Sequence, residues 1–298
     1  MARPTRKSSS DEGAELVSAT RYDEGGRGRV ELIPAKRRAM ILECLKREGA
    51  VGVQELIDVI GASPSTIRRD LEHLEQQGAL ERTHGGAMLQ RTELATYEPD
   101  LATAAQFARA EKEAIGAAMA AELRAGQSVI FDASTTVLEV ARAIAMAPIR
   151  LTAVTNSLAI AQVLAGVPEV RLVVMGGTCK PGSLTLAGHP GENFLRTIYA
   201  DVAIIGTHAI TGGRLTETSL EVAAMKQAMI KAARRVVVLA DNSKFTTPNF
   251  CTICDLSEVH EIITDDGIDP AQLTSLQSSD VTVRIVKVAR QAVANGRP

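Results

Sequence analysis

Ser63-Pro64-Ser65-Thr66-Ile67-Arg68-Arg69-Asp70-Leu71, running on to Arg82-Thr83-His84-Gly85-Gly86-Ala87, decides how the N-terminal part of this 298-residue chain folds. Ser63 can cap a helix N-terminus, and Pro64 suits the first helical position, where its missing N–H costs nothing. Ile67, Leu71 and Leu74 recur at i, i+4 and i+7, so one stripe of the helix faces a core. Ser65, Thr66, Arg68 and Arg69 are left facing outward near the helix start. That is where a helix-turn-helix presents side chains to the DNA major groove.

Upstream, Arg37, Met40, Ile41 and Leu45, with an end at Gly49, mark a first helix. Val53–Ile60 marks a second, short one, and Gly61-Ala62-Ser63 makes the turn between helices. Gly78 stands at a C-cap position for the third. Downstream, Leu80–Thr83 and Ala87–Leu89 read as two short strands around His84-Gly85-Gly86, whose glycines are expected to supply the positive φ of a tight turn. Three helices and a two-stranded wing make a winged helix-turn-helix over residues 33–91. Ser63, Ser65, Thr66, Arg68, Arg69, Arg82, His84 and Gly85 are its candidate DNA contacts. Two arginines on a capped helix also describe an ordinary solvated face. The ordered set of cap, stripe, Arg pair, Gly stop and basic wing favours DNA.

On these residues the chain resembles the DeoR family of bacterial transcriptional regulators. Thr66-Ile67-Arg68-Arg69-Asp70-Leu71, Leu74-Glu75, Gly78 and Arg82-Thr83-His84-Gly85-Gly86-Ala87 stand where the family's N-terminal signature stands. The resemblance spans residues 34–268. It implies a sugar-phosphate-sensing domain behind the winged helix.

Composition sets weaker bounds. The chain is long enough for one small and one large domain, and a 45% hydrophobic content supports a real core. Aromatics are 3% and Trp is absent, so bases or sugars are not expected to be held mainly by stacking. The net charge of -2 does not itself point to nucleic acid. DNA affinity has to come from local charge, which Arg68, Arg69, Arg82 and Arg91 supply. No apolar run is long enough to span a membrane, and the basic N-terminus lacks the apolar segment of a secretory signal. A cytoplasmic protein is expected. Residues 1–32 are polar, glycine-rich and charged, and are expected to be disordered. Cys251 and Cys254 form a C-x-x-C pair without a second pair, and only His260 lies near, so neither a metal nor a redox role is expected; no cofactor is implied.

Residues 92–112 read as a linker broken by Glu98-Pro99-Asp100. From residue 113 to 298 the texture is strand, loop, helix, repeated. Ser128–Phe131 ends at Asp132-Ala133-Ser134-Thr135-Thr136, Leu151–Val154 at Thr155-Asn156-Ser157, and Val170–Met175 at Gly176-Gly177-Thr178. Val202–Ile205 ends at Gly206-Thr207-His208, and Val236–Ala240 at Asp241-Asn242-Ser243-Lys244. Alternation of this kind specifies a mainly parallel α/β sheet, whose strand C-termini share one ligand-binding edge. Ser134-Thr135-Thr136 is the candidate phosphate cradle. Lys244 offers a charge, and Asp132, Asn156 and Asp241 suit sugar hydroxyls. Ser, Thr and Asn after a strand also suit ordinary helix caps, Asp241 a turn cap, and Lys244 an exposed side chain.

The resemblance adds a fold similar to ribose-5-phosphate isomerases and CoA transferases, with a phosphate loop Asp-x-Gly-Ser/Thr-Thr. Here Asp132-Ala133-Ser134-Thr135-Thr136 departs from that loop around its glycine. Thr155, Asn156, Gly176, Gly177, Asp201, Gly206, Lys226, Asp241, Ser243 and Lys244 match family positions, as does Ile262-Ile263-Thr264-Asp265. The implied effector-binding set is Asp132, Ser134, Thr135, Thr136, Thr155, Asn156, Gly176, Gly177, Gly206, Lys226, Asp241 and Lys244. An isomerase or CoA-transferase-like enzyme with an appended DNA-binding domain is the alternative. It needs a placed base or nucleophile. His208, Glu217 and Glu221 are the groups available, and both glutamates read more simply as the opening of the helix around Lys226. The expectation is a DNA-binding repressor, a homodimer or homotetramer, released from operator DNA by a phosphorylated sugar.

Overall fold

A computed structural model describes residues 20–22, 28–30, 32–48, 50–83, 85–88, 101–277 and 279–289. β1 (Thr20–Tyr22) and β2 (Gly28–Val30) pair antiparallel inside the segment read as a disordered tail. Most of that segment lies outside the described residues, as do His84 and Arg91.

α1 (Pro34–Glu48), β3 (Ala50–Gly52), α2 (Val53–Ile60), α3 (Pro64–Gln76), β4 (Glu81–Arg82) and β5 (Gly86–Met88) form the winged helix-turn-helix. Ile41, Leu45, Leu56, Ile67, Leu71 and Leu74 are fully buried between its helices, each stabilising the domain by about 2 kcal/mol. Gly61 and Gly78 adopt left-handed φ values of 74° and 72° at the ends of α2 and α3, where a residue with Cβ would be strained.

The wing differs from the two-stranded expectation. β3 joins it, giving the antiparallel order β3-β5-β4. Gly85 and Gly86 do not take positive φ. Gly86 is required for close approach instead, because a Cβ there would lie 2.2 Å from Val51 O of β3.

Helical structure resumes within residues 92–112, the expected linker. α4 (Leu101–Ala104) packs against α1, and α5 (Arg109–Ala120) follows. The larger domain continues with β6 (Ser128–Phe131), α6 (Thr135–Met146), β7 (Leu151–Thr155), α7 (Leu158–Leu164), β8 (Val170–Val174), β9 (Thr178–Lys180), β10 (Thr185–Ala187) and α8 (His189–Leu195). Then come β11 (Ala200–Gly206), β12 (Ala209–Thr211), β13 (Arg214–Glu217), α9 (Leu220–Lys231), β14 (Ala233–Leu239), β15 (Cys251–Asp255), β16 (Glu261–Asp265), α10 (Pro270–Gln277) and β17 (Thr282–Val286). No described helix is long and apolar enough to cross a membrane.

The main sheet runs β17-β16-β14-β11-β6-β7-β8, with every neighbouring pair parallel. Side chains alternate across it, as the strand period of two requires. Val129 and Phe131 pack with Ile115, Met119 and Val137 of α5 and α6. Ile130 packs into the opposite layer with Leu195, Met225 and Met229 of α8 and α9. The β12-β13-β15 sheet joins that second layer through Ile210, Leu215 and Ile253.

The connections fix where a ligand would sit. From β6 the chain winds through α6 to β7 on one side; from β11 it winds through α9 to β14 on the other. The order therefore reverses between β6 and β11, and a crevice opens outside their C-terminal ends.

Candidate functional site

Two regions carry the chemistry. The first is the exposed start of α3. Ser63 is its N-cap: its Oγ accepts from Thr66 N at 3.2 Å and lies 2.8 Å from Thr66 Oγ1. The cap occupies Ser63, so Ser65, Arg68 and Arg69 remain as the exposed groups on this turn, with Thr66 half-buried. Asp70 turns inward and forms a buried pair with Arg37 of α1, Nε to Oδ2 at 2.7 Å, which holds α3 against α1. On the wing, Arg82 reaches back to Glu72 of α3 at 3.3 Å, and Gly85 lies exposed.

The second region is the crevice at the β6–β11 switch point. Asp132 follows β6 and is fully buried; its Oδ2 accepts from Gly206 N at 2.9 Å. Lys226 of α9, also buried, points its Nζ at Gly206 O (2.8 Å), Asp132 Oδ2 (3.1 Å) and Glu217 Oε2 (2.8 Å). Gly206 O accepts a hydrogen bond from it, and the two carboxylates are its charge partners. Lys226 is thus the internal counterion of the crevice floor, buried between two carboxylates.

Burial pushes the Asp132 carboxyl above its ordinary range, against the pull of Lys226 and the Gly206 N–H. Burial acts on Glu217 in the same direction, but Lys226 and His208 outweigh it and hold that carboxyl well below the usual range. Burial opposes the Lys226 charge, yet the two carboxylates beside it raise its pKa above the ordinary lysine value.

Ser134 caps α6, accepting from Thr136 N at 3.2 Å and Val137 N at 3.3 Å. The helix start also presses on β11: a Cβ at Gly206 would lie 2.2 Å from Ser134 Oγ. Ala133, in the loop that departs from the family glycine pattern, takes no positive φ. Thr136 is buried and Thr135 half-buried.

Thr155 is tied into the protein. It is fully buried and spends its hydroxyl on Phe131 O (2.9 Å) while accepting from Ser157 N (3.0 Å). Asn156 clamps the β9–β10 hairpin, donating Nδ2 to Leu186 O at 3.0 Å. Gly176 and Gly177 lie exposed beside that hairpin, and a Cβ at Gly177 would meet Ala187 O at 2.6 Å. Asp241 accepts from Ser243 N at 3.1 Å, and Lys244 is half-buried on the same turn. Neighbouring strands stand about 4.8 Å apart, so the ends of β7, β6, β11 and β14 form a shelf about 14 Å long. Along it, Asn156 Oδ1, Asp132 Oδ1 and Asp241 Oδ2 are buried acceptors without a hydrogen-bond partner among the described residues.

Glu217 is the site residue that the sequence reading misplaced. It does not open α9; it ends β13, buried, with Oε1 2.5 Å from His208 Nδ1. The signal was the Gly212-Gly213 pair, whose φ values of 54° and 76° make the turn between β12 and β13. Glu221 is exposed on the first turn of α9. Cys251 and Cys254 lie in β15, where a register shift opposite Leu215 and Thr216 breaks the alternation and both pack into the layer of Leu215 and Ile253. Burial drives the Cys254 thiol up to about 12.

Comparisons with known proteins agree with this division. A DeoR-like helix-turn-helix domain model matches residues 37–93, and a DeoR C terminal sensor domain model matches residues 108–266. The HTH-type transcriptional regulator GlpR of Haloferax volcanii is 34% identical over 85% of this chain and 98% of its own length. A putative aga operon transcriptional repressor of Escherichia coli O157:H7 is 31% identical over 85% of this chain and 94% of its own. Among solved structures, ribose 5-phosphate isomerase A of Methanocaldococcus jannaschii aligns with 45% of this chain and 53% of its own at a TM-score of 0.34 and 15% identity, a likeness without functional weight.

Proposed function

The chain belongs to the DeoR family of transcriptional regulators, and from that premise we propose that it represses a carbohydrate-utilisation operon in the cytoplasm until a phosphorylated sugar fills the β6–β11 crevice. The repressor named for the aga operon supports the sign of control. The observation that carries the ligand class is the row of unpartnered acceptors at Asn156, Asp132 and Asp241. A buried acceptor without a donor costs about 1–3 kcal/mol. A molecule bearing several hydroxyls supplies donors to all three, and the N-terminal turn of α6 at Ser134 and Thr135, with Lys244, suits its phosphate.

On the DNA side, a dimer or tetramer sets two α3 helices into successive major grooves, about 34 Å apart. Ser65, Thr66, Arg68 and Arg69 face the bases and phosphates, with the wing at Arg82 and Gly85 beside them. Release requires the ligand to favour the conformation that binds DNA poorly. No enzymatic turnover is part of this reading.

The test uses the full chain and a DNA fragment from upstream of its own gene. Replacing Arg68 and Arg69 with Ala is expected to abolish binding in a mobility-shift assay while leaving thermal stabilisation by sugar phosphates unchanged. Undiminished DNA binding would remove α3 as the reading helix. Turnover of ribose 5-phosphate by the purified protein would overturn the regulator-only reading.

A further inference from the structure

His208 stands where β11 leaves the sheet, two residues beyond Gly206 at the switch point. Its ring is held from one side only. Nδ1 is buried, 2.5 Å from Glu217 Oε1, while the side chain as a whole keeps 27% exposure. Nε2 has no partner among the described residues and is not buried. A core histidine spends both ring nitrogens on the protein; this one sets Nδ1 against Glu217 and leaves Nε2 accessible two residues beyond the switch point.

Glu217 is itself fixed. Its Oε1 accepts from Thr218 N at 2.8 Å and Thr218 Oγ1 at 3.2 Å, and its Oε2 faces Lys226 Nζ at 2.8 Å. The residue is 1% exposed. A buried carboxylate so anchored accepts and does not donate, so a contact of 2.5 Å favours the imidazole proton on Nδ1. In the neutral ring Nε2 is then a hydrogen-bond acceptor. The same carboxylate, through Lys226, is joined to Asp132 Oδ2, whose other oxygen is one of the unpartnered acceptors.

We infer that His208 is a ligand-contact residue at the β11 end of the crevice, accepting a hydrogen bond from a ligand hydroxyl, and that Glu217 is the positioning residue that sets its ring. This rests on the sugar-phosphate reading and names a donor-seeking nitrogen in that site. His208 extends the acceptor row of Asn156, Asp132 and Asp241, so the crevice as a whole selects a ligand by its hydroxyl donors.

The experiment has two arms. The first needs no ligand: long-range 1H–15N correlation spectra of the full-length protein report the His208 tautomer. Wild type is expected to hold the proton on Nδ1, and Glu217→Gln to shift the ring toward Nε2–H. A wild-type Nε2–H tautomer overturns the inference. The second arm titrates glucose 6-phosphate, galactose 6-phosphate, ribose 5-phosphate, glucitol 6-phosphate and glycerol 3-phosphate against wild type, His208→Phe and His208→Asn. The best binder is expected to weaken about tenfold on His208→Phe, the loss of one hydrogen bond, with partial recovery in His208→Asn and unchanged DNA affinity in both. Equal binding by wild type and a folded His208→Phe variant overturns the contact. Failure of every phosphate on wild type sinks the sugar-phosphate reading, while the tautomer arm still decides the positioning role.

Discussion

At the scale of single residues, the crevice floor is a balance among buried charges. Taking Asp132, Glu217 and Lys226 out of water is costly, and the arrangement persists because Lys226 lies within ion-pair distance of both carboxylates and donates to Gly206 O. The two carboxyls respond oppositely to pH. Glu217 is depressed, so its stabilisation is complete above the unfolded-chain value of about 4.3 and fades as the pH falls through the lower folded value. Asp132 is raised, so its contribution is complete below its unfolded value of about 3.9 and is lost as the pH rises through the folded one. Substituting Glu217→Gln isolates the first effect. The stability gap between wild type and the variant, from urea unfolding between pH 3 and 7, is expected to be widest near neutrality and to narrow below about pH 4. A gap independent of pH would mean that Glu217 is not ionised in the fold. Asp132 and Lys226 were legible as positions in the sequence. Their relation was not, because it joins residues from the ends of β6, β13 and the middle of α9, and no local pattern records such a meeting. The same limit hid the internal partners of Thr155 and Lys226.

At the scale of elements, α3 shows what local sequence can and cannot specify. Its cap, its proline and its buried stripe lie within a dozen residues, so the helix was legible before the structure. Its attitude depends on a distant residue. Arg37 of α1 pairs with Asp70 through Nε–Oδ2 at 2.7 Å and Nη2–Oδ1 at 3.4 Å, both side chains being buried. Replacing Arg37 with Ala leaves the Asp70 carboxylate uncompensated, which costs about 3–5 kcal/mol. Chemical denaturation followed by helical circular dichroism is expected to show an early transition for the winged domain, and operator binding should fall with it although no DNA contact is altered. A variant of undiminished stability would show that the pair does not hold α3. The wing was read less well for a related reason. β3 is three residues long and has no period to detect, and the demand for Gly86 comes from Val51 O on that strand rather than from its own turn. The short hairpin β9–β10 escaped notice likewise, whereas the long apolar strands β6, β11 and β14 were evident.

At the scale of the whole molecule, the two halves of the regulator meet through α4. On one side α4 packs against α1, and Phe107 just beyond it touches the winged-domain core. On the other side Leu101 N donates to Gly182 O at 3.0 Å, in the turn of the β9–β10 hairpin. That hairpin is in turn held by Asn156, whose Nδ2 donates to Leu186 O and whose own carbonyl accepts from Leu186 N at 2.8 Å. Asn156 Oδ1 belongs to the acceptor row of the crevice. Ala108, between α4 and α5, sits at a left-handed φ of 46°, a conformation that costs a residue with Cβ about 1–2 kcal/mol. A ligand that draws on Asn156 therefore pulls on hydrogen bonds that run through the β9–β10 hairpin to α4, which packs against α1, with a left-handed joint at Ala108 beside it. Leu101 is the first helical residue of α4, a position where proline is accommodated. Leu101→Pro thus keeps the helix and deletes the one N–H that reaches Gly182; Leu101→Ala keeps that N–H and serves as the control. The proline variant is expected to bind operator DNA and to be stabilised by sugar phosphate as wild type is, yet to release DNA far less when ligand is added. If it releases DNA at wild-type ligand concentrations while Leu101→Ala does the same, coupling runs by another route and α4 is only a spacer.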